Sequence, residues 1–125
     1  MYRFGRASIY AYCQPTDMRK GFEGLSALVR EELGKDPLSG SLFLFTNRRR
    51  TLAKVLWFDG SGACVLAKRI EKGRFAALWK FTERSSLYLK RSELELFLEG
   101  SHLVGRFQVS PSELSKSDLA SRDRT

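Results

Sequence analysis

Apolar positions fall into short runs separated by polar and glycine-rich breaks, the pattern of several compact elements. Ser8 to Cys13 (SIYAYC) is aromatic and β-branched and predicts a strand. Pro15 breaks it, and Thr16 or Asp17 then caps a helix that runs to about Leu33. Met18, Phe22, Leu25, Leu28, Val29 and Leu33 share one helical stripe, the face to be buried. Arg19 and Glu23, four apart, read as a solvent-facing pair. Gly21 and Gly24 imply close approach of this helix to another backbone, expected to be a sheet. Gly34 ends the helix, and Lys35 to Gly40 is a loop.

Leu42–Thr46 (LFLFT), Leu52–Phe58 (LAKVLWF) and Ala63–Ile70 (ACVLAKRI) are three strand-like runs. Asn47–Arg50 and Asp59–Gly62 join them as hairpin loops, which makes a three-stranded antiparallel meander. The expected register pairs Phe58 with Ala63, Leu56 with Val65, Lys54 with Ala67 and Leu52 with Arg69. Gly73 to Lys80 has no clear period, but Phe75, Trp79 and Phe81 load this region with aromatics. Ser86–Lys90 (SLYLK) reads as a further strand, and Ser92 caps a short helix over Glu93–Glu99. The predicted fold class is α+β: an antiparallel sheet, the meander plus one or two further strands, packed on one long helix, with a short C-terminal helix. Residues 1–100 form the single domain, and the serine-rich stretch over 101–125 is expected to be a mobile tail.

The chain has 125 residues with 42% hydrophobic and 29% charged positions, which fits one globular domain and excludes wholesale disorder. No apolar run approaches the roughly 18 residues of a membrane helix, and Met1–Arg6 has no apolar signal core. The expected location is cytoplasmic, without membrane partners. Two cysteines, Cys13 and Cys64, make neither a disulfide framework nor a zinc set. With His102 the one histidine, no two-histidine site exists.

Charge changes the picture more. Between Asn47 and Arg91 lie twelve Lys/Arg and three acids, a net +9, while the rest of the chain nets −1. Such a concentrated positive field favours polyanions, nucleic acid first. In a meander the first loop lies beside the exit of the third strand. Arg48, Arg49 and Arg50 are therefore expected next to Arg69, Lys72 and Arg74, merging two clusters into one nucleic-acid-binding patch. Guanidinium forks match phosphate oxygens in a bidentate way. Trp57, Phe75 and Trp79 are candidate stacking partners for unpaired bases, although Trp57 on a central strand reads more readily as core. No catalytic cluster is evident: no carboxylate pair falls on adjacent strands with a common direction, and no phosphate-loop or dinucleotide fingerprint occurs. No catalytic residue, cofactor or metal is therefore assigned.

Four ordered blocks carry a resemblance: Thr16–Leu25 (TDMRKGFEGL), Asp36–Gly40 (DPLSG), Lys54–Gly62 (KVLWFDGSG) and Lys68–Phe75 (KRIEKGRF). Together they resemble the small TnpB-type, Orf2-like transposition accessory protein of the insertion sequence sixty-six group, a family distinct from the RNA-guided nuclease of the same label. The resemblance implies a non-enzymatic bacterial protein that assists transposition beside a separate, larger transposase. It supplies no catalytic residue. Joined to the charge pattern, it predicts a DNA-binding accessory factor with DNA and the transposase as partners. The alternative is an adaptor that docks on the transposase through the basic patch and Trp79 or Phe81, without touching DNA. A metal-dependent nuclease using Asp17 or Glu71 is the remaining reading.

Overall fold

The computed structural model describes residues 6–100; the expected tail and His102 lie outside the described residues. In chain order the elements are β1 (Ile9–Tyr12), α1 (Phe22–Glu31), β2 (Leu42–Thr46), β3 (Leu52–Phe58) and β4 (Ala63–Arg69). A 3₁₀ turn (Leu78–Lys80), β5 (Ser86–Leu89) and α2 (Arg91–Leu98) follow. The strands form one five-stranded sheet in the order β4-β3-β2-β1-β5. The meander and its register are as the turn positions require, from Leu52 opposite Arg69 to Phe58 opposite Ala63.

The sheet is mixed, not antiparallel. β1 pairs with β2 in parallel, Ile9 opposite Leu42, and with β5 in antiparallel fashion, Ile9 opposite Leu89. The reason is the connection: α1 carries the chain back to the end where β1 began, so β2 must repeat its direction. The end where β1 and β2 finish is the upper end below. β4 and β5 are the margins.

Alternation sorts the apolar side chains to two faces. On one face, Ile9, Ala11, Leu42, Leu44, Ala53, Val55 and Trp57 are buried beneath the 70–81 segment and α2. There Phe75 stacks on Phe97, with ring centroids 5.0 Å apart. Both are fully buried, and burying such a ring contributes about 1.5–3 kcal/mol. On the other face Tyr12, Phe43, Phe45 and Leu56 pack with Leu25 and Val29 of α1.

The single long helix expected from Thr16 or Asp17 is not formed; α1 has ten residues. Asp17 caps a tight turn instead. Its Oδ1 accepts the Arg19 amide at 2.9 Å, and its carbonyl accepts the Lys20 amide at 3.1 Å. The carbonyls of Met18 and Lys20 accept from Lys54 Nζ of β3, at 2.7 and 2.8 Å. In a continuous helix those oxygens would bond amides four residues on. Met18 still packs on the α1 face of the core with Leu25, Leu28, Val29 and Leu33, but Phe22, expected on the same buried stripe, is 52% exposed at the start of α1. Arg19 pairs with Asp17 at 2.7 Å, not with Glu23. The glycines also differ in role from the expectation. Gly21 is the N-cap of α1, and a Cβ on Gly24 would meet the Lys20 side chain rather than a sheet backbone.

At the C-terminus of α1, Gly34 (φ +65°) lets the Lys35 amide return to the Val29 carbonyl at 3.0 Å. The second helix begins two residues earlier than expected, with Lys90 rather than Ser92 as N-cap; Glu93 Oε1 accepts the Lys90 amide at 2.7 Å. Gly100 (φ +84°) follows it closely over Ile70.

Candidate nucleic-acid interface

The β2–β3 loop owes its shape to Asn47. Its Oδ1 accepts the amides of Thr51 and Leu52, at 2.9 and 3.1 Å, so one side chain closes the turn. The Arg50 amide donates to the Asn47 carbonyl at 3.0 Å, and Arg50 sits at φ +62°. A left-handed arginine is costly, and here it directs its own carbonyl outward to the next cluster. That carbonyl accepts the Phe75 amide at 2.8 Å, while the Ile70 amide bonds the Thr51 carbonyl at 2.9 Å. The loop and the 69–75 segment are thus sewn together at the upper end of the sheet.

All six basic residues picked out in the sequence come to this end. Arg48, Arg49, Arg69, Lys72 and Arg74 are exposed and Arg50 is half-buried. Among the described residues none of the six is held in an ion pair. Exposed Glu71 lies within the group and lowers its net charge to +5. The neutral backbone bonds that join the two segments leave the cationic side chains to solvent, the arrangement a phosphate backbone requires.

Two further cations of the basic stretch have structural work. Lys54 holds the turn before α1, and Lys68 Nζ donates to the Leu98 carbonyl at the end of α2, at 2.6 Å. Sequence reasoning missed another contributor at the upper end. The Cys13 amide bonds the Ser85 carbonyl at 2.8 Å, which brings exposed Arg84 to the same end from the β5 margin. Strand order alone reveals this, because β5 crosses the whole sheet to pair with β1.

The aromatic candidates separate. Trp57 is core at 6% exposure and Phe75 is fully buried, so neither is available to a base. Trp79 is half-buried. Cys13 is buried, and desolvation pushes its thiol up to about 12, which makes it inert. Cys64 lies 3.6 Å from Asp59 Oδ2. Asp59 is committed to its turn, accepting the Ser61 and Gly62 amides, and these bonds hold its carboxyl below the usual range. The Asp17 carboxyl is held well below its usual range by the Arg19 guanidinium. Among the described residues no group of three His, Cys, Asp or Glu is placed to hold a metal ion, and no helix is long and apolar enough to cross a membrane.

The family model described as "IS66 Orf2 like protein" matches residues 7–106. Two proteins of Sinorhizobium fredii (strain NBRC 101917 / NGR234) are similar. The uncharacterized protein y4hO is 41% identical over 85 residues, covering 68% of this chain and 72% of that protein. The uncharacterized protein y4jC is 33% identical over 87 residues, covering 70% and 73%. No solved structure matches the chain.

Proposed function

From the premise that the chain belongs to the IS66 Orf2-like family, we propose that it is a non-enzymatic accessory protein of transposition that attaches to DNA and assists a separate transposase. The observation that supports this most is the joining of the β2–β3 loop to the 69–75 segment, which gathers Arg48, Arg49, Arg50, Arg69, Lys72 and Arg74 at one end of the sheet. Attachment is electrostatic: guanidinium and ammonium groups replace condensed counterions along the phosphate backbone. Among the described residues no helix forms part of the patch, so the proposal rests on phosphate contacts and not on base-edge readout. The bound DNA is held against a rigid sheet end, and the transposase is brought to the same complex.

A salt titration of binding to duplex DNA tests this. Four to six neutralised phosphates give log affinity falling with log salt at a slope of about −4 to −5. Changing Arg48, Arg49 and Arg50 together to alanine is expected to bring the slope to about −2 while the fold is retained by circular dichroism. Absence of duplex binding at low salt, where electrostatics are strongest, overturns the reading and favours the adaptor that docks on the transposase alone.

A further inference from the structure

The α1 side of the sheet is unevenly covered. Helix α1 lies over β3 and β4 and packs with Tyr12, Phe43 and Phe45, but no residue of β5, the opposite margin, joins that cluster. Strand alternation places Ser86 and Tyr88 of β5 on this side, beside Tyr12 and Tyr10 of β1. Tyr88 is 62% exposed, yet its ring is not loose. It meets the Tyr10 ring edge-to-face at 5.5 Å, and Tyr10 in turn stacks on Phe43 at 6.0 Å. The Schellman turn at Gly34 swings Lys35 back, so that its ammonium stands 4.1 Å over the Tyr10 ring. An aromatic ring supported from behind and open to solvent in front is thus flanked by positive charge: Lys35 beside it, exposed Arg84 before the strand and exposed Lys90 after it.

We propose that this margin of the sheet binds single-stranded nucleic acid, with an unpaired base stacked on Tyr88 and the flanking phosphates met by Arg84, Lys35 and Lys90. The four residues of β5 span roughly 13 Å of extended chain, the length of about two nucleotides, with Arg84 and Lys90 just beyond its two ends. A base stacks on any aromatic face, so the site accepts a strand without reading its sequence. Lys35, Arg84 and Lys90 outnumber Glu32, which acts on Tyr12, and exposed Glu83 before Arg84, so the margin's charge complements phosphate better than it does an apolar protein surface. The inference rests on the nucleic-acid reading above: Arg84 belongs to the upper basic end, so a strand leaving that patch would run down β5 onto Tyr88. An accessory factor with both surfaces holds a duplex and an adjoining opened strand together.

The test compares the full chain with its Tyr88→Ala and Tyr88→Phe variants on an oligothymidine strand, the matching RNA strand and a duplex. Loss of the ring is expected to weaken single-strand binding about 5- to 150-fold. Tyr88→Phe should restore it, with the duplex affinity and its salt slope unchanged. Equal loss on DNA and RNA strands supports stacking without sugar recognition. Single-strand affinity unaltered by Tyr88→Ala, with duplex binding intact, overturns this inference and leaves the duplex reading standing. Binding to no nucleic acid by the unaltered chain overturns both.

Discussion

Arg50 carries two demands at once. Its φ of +62° suits glycine, and its position suits a cation. A non-glycine residue in this region costs about 1 kcal/mol or more, and the turn tolerates it because Asn47 and the Phe75 amide fix the backbone on both sides. This separates stability from binding. Arg50→Gly is expected to raise unfolding stability by about 1 kcal/mol in urea titration, while weakening duplex binding and lowering the salt slope by about 0.9. No change in the slope would show that Arg50 shapes the loop without meeting phosphate. Asn47 is legible in the sequence as a turn residue, but the left-handed arginine is not. Three consecutive arginines carry no local sign of which one must take the strained conformation.

At the scale of elements, the start of α1 is decided by a strand. Met18 and Lys20 fit the helical period, and nothing nearby forbids continuing the helix to Asp17. Lys54, more than thirty residues away in the chain, takes the carbonyls that such a helix would need. Hydrogen bonds to a charged donor contribute about 1.5–3 kcal/mol, more than one more turn of helix with two glycines would return. Lys54→Ala is therefore expected to lower stability by about 2 kcal/mol and to leave the salt slope of DNA binding unaltered, since this ammonium is already occupied. A reduced slope with unchanged stability would instead make Lys54 a phosphate contact. The parallel pairing of β1 and β2 belongs to the same scale. The order strand, helix, strand signals a crossover, and the meander that follows drew the expectation towards a wholly antiparallel sheet.

For the whole molecule, what matters is where the charge sits. Arg30, exposed in the last turn of α1, lies at the lower end of the sheet, and Arg74 lies at the upper. The two variants Arg30→Gln and Arg74→Gln remove the same charge. Only the second is expected to reduce the salt slope, by about 0.9, whereas a general effect of net charge would reduce both alike. The core supports this polarity. The Phe75–Phe97 stack pins the 70–81 segment to the sheet, so the cations before it stay beside the β2–β3 loop.

By itself the sequence determined the elements whose information is local. Period-two alternation and short polar loops were enough for the meander, its register and the meeting of Arg48–Arg50 with Arg69–Arg74, because a hairpin's turn dictates its pairing. The four motif blocks were enough for the family. Tertiary structure decided what depends on distant partners: the shortened α1, the parallel β1–β2 pair and the burial of Phe75. It likewise decided the arrival of Arg84 at the basic end and the open ring of Tyr88. The physical reason is the same in each case. A lysine bonding two remote carbonyls, or a strand crossing the sheet to its margin, leaves no periodic trace in the residues it acts on.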